Sequence, residues 1–209
     1  VTGISVGGLP DGIVDAGTLA TNSVDSAELI DGAVDDSHMA AMAASKLTGA
    51  LPAISGASLT GMAGNTPAFL ATLTSPQTIS DNTTTKVAFS VEYYDSNSTY
   101  DNSAYKWTPA VAGTYYVFAT LYLHSLGNTN LNIANAFIYV NGSIANIGTT
   151  DFRANPANRI YQSVFALITL DADDYVEIYA NVDTANNGSA NVYAVGGNQD
   201  NVFGAFKVT

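Results

Sequence analysis

Two histidines, eighteen carboxylates and no cysteine are the raw material for chemistry in this chain. A histidine serves as general base or activates a nucleophile only with a partner within hydrogen-bond reach. Neither His38 nor His124 has such a partner nearby in sequence, and both read as structural. No Gly-x-Ser-x-Gly elbow, His-Glu-x-x-His pair or phosphate-cradling loop is present. The carboxylates Asp171, Asp173 and Asp174 could offer oxygens to calcium. They stand between two strand-like runs, however, and read first as a polar turn. No cofactor is expected, with calcium at that turn as the alternative. Glycoside hydrolysis needs two facing carboxyl groups, and no pair stands out from the eighteen. Four Asn-x-Ser/Thr triplets, at Asn82, Asn97, Asn141 and Asn187, follow from the richness in those residues. A binding module, not an enzyme, is expected.

Charge narrows the partners. The net charge is −12, with only six Lys or Arg among 209 residues. A nucleic-acid surface needs clustered cations that displace counterions, so no nucleic-acid partner is expected. No apolar run approaches the roughly 20 residues of a membrane span, so no membrane insertion is expected either. The chain begins at Val1 rather than Met and reads as a processed product or a piece of something longer.

The elements that would position any site fall into two compositions. Residues 11–40 hold a ten-residue repeat: Asp11 to Ala20, Thr21 to Ile30, and Asp31 to Ala40. Val14, Val24 and Val34 recur in register, as do Leu19, Leu29 and Met39. Each unit offers a turn pair, an anchoring Val, an Asp placed as an N-cap and about one helical turn. One turn is far below the roughly 12 to 15 residues at which an isolated helix becomes marginal. The units must therefore stack on copies of themselves, and those six apolar residues are expected to pack a trimeric shaft. A slim neck follows, with Leu-Thr-Gly at Leu47 and again at Leu59. Residues 1–63 form shaft and neck in this reading, and 64–209 a head.

The head is all-β: short aromatic and β-branched runs separated by Asn/Asp/Ser/Gly loops. Strands are predicted over Phe69–Leu73, Val87–Val91, Ala104–Thr108, Thr114–His124, Ala136–Val140, Ser143–Thr149, Tyr161–Leu170, Tyr175–Val182 and Val202–Val208. Asn141-Gly142 is the strongest hairpin signal. The long strand carries Tyr115, Val117, Ala119, Leu121 and Leu123 on one face. Its other face carries Tyr116, Phe118, Thr120, Tyr122 and His124. Both are largely apolar, so both should be covered, one by a second sheet and the other by another subunit.

From about residue 66 onward the chain resembles the trimeric jelly roll of the C-one-q and tumour necrosis factor superfamily. The resemblance is carried by Val87-Ala88-Phe89, by Tyr100-Asp101 ahead of Tyr105-Lys106-Trp107-Thr108-Pro109, and by Gly113-Thr114-Tyr115-Tyr116-Val117-Phe118. Val140-Asn141-Gly142, Leu170 to Val176 and Phe203-Gly204-Ala205-Phe206 complete it. It implies a jelly-roll β-sandwich and a homotrimer. The Asp-Gly-x-Val repeats and Lys46-Leu47-Thr48-Gly49-Ala50-Leu51-Pro52 resemble bacteriophage tail fibres. Together the halves imply a virion tail-fibre tip that is extracellular, binds a host cell-surface glycan or protein, and continues into upstream tail or fibre proteins. A secreted complement-like protein or bacterial adhesin, and a glycan-degrading tailspike, are the alternatives.

Counting strand directions places the short connections Pro109–Gly113, Asn141-Gly142 and Asp171–Asp174 at one end, with the C-terminus. The long ones, Glu92–Ser103, Ser125–Asn135, Thr150–Ile160 and Asp183–Asn201, then crowd the other. Long loops are more often functional than short turns. They carry Tyr100, Phe152, Arg153, Arg159 and Tyr193, types that dominate binding energies. These five are the expected receptor-binding residues, for an anionic or sugar-rich ligand.

Overall fold

A computed structural model describes residues 65–126, 130–194 and 199–208. His38 and the shaft residues Val14, Leu19, Val24, Leu29, Val34 and Met39 lie outside them. The described residues form strands and no helix. In chain order these are β1 (Ala68–Thr72), β2 (Gln77–Ile79), β3 (Thr85–Lys86), β4 (Val91–Asp95), β5 (Tyr100–Asp101) and β6 (Lys106–Trp107). After them come β7 (Gly113–Ser125), β8 (Leu131–Val140), β9 (Ser143–Asp151), β10 (Arg159–Leu170), β11 (Val176–Thr184), β12 (Ala190–Val192) and β13 (Val202–Lys207). One antiparallel sheet runs β2-β12-β7-β13-β1-β4, with β10 on the other side of β7. The second runs β5-β6-β11-β8-β9, with β3 also on β11.

The period-2 pattern decides what faces inward. Tyr115, Val117, Ala119, Leu121 and Leu123 of β7 are buried against Ala134, Ala136 and Ile138 of β8 and Val176, Ile178 and Ala180 of β11 in one core. At one end that core is aromatic. The Phe69 ring stacks on Tyr100 at 5.1 Å and on Trp107 at 5.0 Å, and meets Phe203 edge-on at 4.8 Å. The polar ends of these rings are satisfied: Tyr100 Oη donates to the Phe89 carbonyl at 2.7 Å, and Trp107 Nε1 to Thr99 Oγ1 at 2.9 Å. Burial pushes the Tyr100 hydroxyl well above the ordinary phenol range.

Two expectations change here. Val87–Val91 is not one strand: the Val87 amide still bonds to Ile178 of the second sheet, but that of Phe89 folds back onto the Val87 carbonyl. The chain is crossing from one sheet to the other, and Val87 and Phe89 plug the core as it does so. The expected loop Glu92–Ser103 contains β4 and β5, and this extra reversal moves it to the opposite end from the one expected. Ser96 bonds to Ala68, and Lys207 to Pro67, beside the turn before β7. The other ends are as counted. Ala110 bonds to Ala172 and Asn141 to Tyr175 at the short-turn end. Ser125 bonds to Asn158, Leu131 to Ala157 and Ala185 to Asn130 at the far end. Asn141 (φ 50°) and Gly142 (φ 77°) make the hairpin turn in the left-handed geometry that such two-residue turns require.

The two sheets meet where β9 lies against β10. Asn146 Nδ2 donates to the Phe165 carbonyl and Thr150 Oγ1 to Gln162 Oε1, both at 2.7 Å. Between them sits Gly148, where a Cβ would fall well inside contact distance of the Ser163 carbonyl oxygen. Backbone cannot swing aside as a flexible side chain can. Gly148→Ala should therefore destabilise the head by about 1–3 kcal/mol, read as a lowered urea midpoint with an unchanged slope.

Candidate functional site

The second face of β7 looks outward from the sandwich, and pairing with its neighbours builds a surface on it. Residues directly opposite in antiparallel strands point to the same side. Arg159 of β10 stands opposite His124, which stands opposite Asn191 of β12, which stands opposite Thr78 of β2. One row nearer the middle, Tyr161 lies opposite Tyr122. Their rings stack at 4.6 Å and 12°. Tyr193 closes the other side, edge-on to Tyr122 at 5.7 Å and to His124 at 5.1 Å.

A buried side chain reinforces this corner, beside the direct bond from the Tyr193 amide to the Tyr122 carbonyl at 2.8 Å. β13 and β12 occupy successive lengths of one edge of β7, leaving a gap between them. Asn201, fully buried, spans it: its Oδ1 accepts from the Tyr122 amide and its Nδ2 donates to the Tyr193 carbonyl, each at 2.7 Å. Its own carbonyl accepts from Thr72 Oγ1. An Asn is suited to this because its one amide group offers both a donor and an acceptor.

The corner is polar at its rim. Arg159 Nη1 donates to Tyr122 Oη at 3.2 Å, and that bond holds the guanidinium above its ordinary range. Tyr161 Oη donates to Asp200 at 3.2 Å. His124 Nδ1 and Asn191 Oδ1 are buried atoms without a hydrogen-bond partner among the described residues. Orphaned buried polar atoms cost roughly 1–3 kcal/mol each, so something polar is expected to meet them.

Farther toward the middle the same face turns apolar. Phe165 is 60% exposed and Leu167 66%, and Tyr116, Phe118 and Phe206 lie beside them. A shallow cavity of about 340 Å³ opens there between Tyr116, Phe118, Thr120 and Phe165. The outer face of the second sheet carries another cluster, with Tyr139 against Tyr179 at 4.3 Å. It is closed by the ion pair of Lys86 with Glu177 at 2.8 Å, and the Tyr179 hydroxyl, bonded to Glu177, is pushed up to about 12, chiefly by burial.

The five residues expected to bind a receptor separate. Tyr100 is 7% exposed, in the aromatic core at the short-turn end, and has no surface to offer. Its loop was expected to be irregular and distal, but β4 and β5 turn it inward. Phe152 is half-buried, its amide bonded to Asn132. Arg153 is exposed at the far end, its Nε donating to both oxygens of Asp151 at 3.0 Å. Only Arg159 and Tyr193 come together, joined by Tyr122, His124, Tyr161 and Asn191, which the sequence reading did not select. The alternation of β7 already put Tyr122 and His124 on one face. What was missing was that β10 begins at Arg159, so that it reaches His124. Among the described residues no group of three His, Asp or Glu could hold a metal. Asp174 instead accepts from the Asp171 amide and the Asn141 side chain, closing its turn onto the hairpin.

No protein-family model matches the chain, and no curated protein matches it. Solved structures do. The S. frugiperda Eiger TNF structure matches at TM-score 0.50 and 10% identity, over 68% of this chain and 90% of that one. The globular domain of zebrafish complement 1qA protein gives 0.48 at 16% identity, over 68% and 98%. Murine APRIL gives 0.47 at 9% identity, with the same coverage. The two antiparallel sheets and the match to the Eiger TNF structure give the head the jelly-roll fold expected for it.

The Arg153 guanidinium holds the Asp151 carboxyl down to about 2, chiefly by side-chain hydrogen bonding. A depressed carboxyl pKa means the clamp is complete above the ordinary Asp value of about 3.9 and is lost as pH falls toward 2. In Arg153→Ala, a carboxyl-detected NMR titration should find the Asp151 midpoint raised toward, but still below, the ordinary Asp value of about 3.9, because the amide of residue 153 still donates to Asp151. A midpoint unmoved by the substitution would contradict the clamp.

Proposed function

We propose that this chain is the receptor-binding tip of a bacteriophage tail fibre, a non-catalytic homotrimer that is part of the virion and acts outside the cell. Residues 1–63 are its shaft and neck in this reading, and 64–209 its head. The observation that carries it is the outer face of the β7 sheet. Phe165 and Leu167 stand in solvent beside Tyr116 and Phe206, on the strand face whose alternation left it uncovered. Covering each such side chain contributes about 1.5–3 kcal/mol, and closed symmetry repeats the gain at every interface. The one-turn repeats ahead of the head have the same need for copies of themselves. The chain reaches β1 beside the C-terminal strand, and Arg159 and Tyr193 lie at the other end. Upstream fibre proteins and a host cell-surface glycan or protein are the partners.

A secreted complement-like module or bacterial adhesin would share the head but not the Asp-Gly-x-Val repeats. A glycan-degrading tailspike would need a facing pair of acids. Light scattering of the intact chain should give three times its 21.6 kDa mass at micromolar concentration. The double substitution of Phe165 and Leu167 by Asp should yield a monomer with an unchanged β-sheet spectrum. A monomeric parent would defeat the assembly, and sustained release of reducing ends from host surface polysaccharide would defeat the non-catalytic reading.

A further inference from the structure

The corner formed by Arg159, His124 and Asn191 has unspent hydrogen-bonding capacity. Arg159 brings five N–H donors, and among the described residues its hydrogen bond goes to Tyr122. Among the described residues, His124 Nδ1 and Asn191 Oδ1 are two buried atoms without a hydrogen-bond partner, and they belong to one cross-strand pair. An imidazole nitrogen donates or accepts according to tautomer, and an amide presents either end by rotating. The three side chains occupy one row across β10, β7 and β12, with the guanidinium at the open end. The next row is a wall of rings: Tyr161 on Tyr122, and Tyr193 edge-on.

We propose that this row binds a single carboxylate borne on a sugar ring, the uronic-acid type of acidic glycan. A carboxylate matches the planar fork of the exposed Arg159, and the ring's hydroxyls would lie over the half-buried side chains of His124 and Asn191. The apolar side of a pyranose covers the exposed Tyr161 ring, as aromatic walls do in sites that fix orientation with a few polar groups. Charge limits the class. The row has one guanidinium, and the chain carries −12 overall. A monoanion is compensated there, whereas a phosphate dianion or a polysulfate would be repelled. The proposal rests on the receptor-binding reading, which it narrows to one ligand class and one corner.

The test uses the intact assembly and free glucuronic acid, with glucose as the same ring lacking the carboxylate, both titrated by NMR. Glucuronic acid should bind, and glucose should bind about tenfold more weakly or worse. Arg159→Ala should abolish that preference, and Arg159→Lys, which keeps the charge but not the fork, should restore only part of it. Arg159 is exposed and both variants should keep the parent's mass and spectrum. Equal affinity for the two sugars, or a preference that survives Arg159→Ala, overturns the proposal, as does stronger binding of inorganic sulfate. Adsorption to a panel of bacterial cells separates the two readings. If Arg159→Ala loses adsorption while glucuronic acid never binds, the ligand class is wrong and the tip reading stands. If glucuronic acid binds selectively and no cell is adsorbed, the site is right and the tip reading falls.

Discussion

Strand β7 has two apolar faces, and the sandwich interior can bury only one of them. Everything else in the head answers to that constraint. The Tyr115–Leu123 face is taken up by the second sheet, fixing which side of each neighbouring strand faces in. The Tyr116–His124 face is left outside, where β10, β12 and β13 extend it sideways into a surface. With thirteen residues β7 runs from the short-turn end to the far end, so this surface changes character along its length. It is apolar near Tyr116 and Phe165 and polar near His124 and Arg159.

That gradient gives one sheet face two jobs in the proposed function. Aromatic and aliphatic side chains without polar partners favour a second copy of the chain, because only contact with other apolar atoms removes them from water. The row at the far end has the opposite need. Its nitrogen and oxygen, without partners among the described residues, call for hydrogen bonds, and its cation calls for negative charge. Asn201 helps join the two regions: its side chain bonds to the backbone of Tyr122 and of Tyr193, beside the direct bond from the Tyr193 amide to the Tyr122 carbonyl.

The Arg residues of the far end behave differently although both were selected on the same grounds. Arg153 is engaged by Asp151 two residues away, a local turn-closing pair fully reachable by water, and such pairs contribute little to stability. Arg159 has a phenol for a partner, a neutral group that orients the guanidinium without neutralising it. Local sequence distinguishes them only in part. Asp151 is visible beside Arg153, but Tyr122 lies thirty-seven residues from Arg159.

The sequence by itself determined the all-β class, the jelly-roll resemblance, the alternating faces of β7, the Asn141-Gly142 hairpin and the short-turn end. Each depends on a period of two residues or on the φ preference of one turn, and these are local properties of the chain. Tertiary structure decided what depends on register. Strand Ala190–Val192 is too short to carry a readable period, and it forms because β7 has an open edge there. Val87–Val91 has the composition of a strand and is bent because it must pass between sheets. Tyr100 has the composition of a binding residue and is core, because Phe69 and Trp107 complete a ring stack around it. The row Arg159, His124, Asn191 joins three strands distant in sequence. Hydrogen-bond ladders align such residues only after every intervening loop has closed, and no pattern within a single strand encodes that alignment.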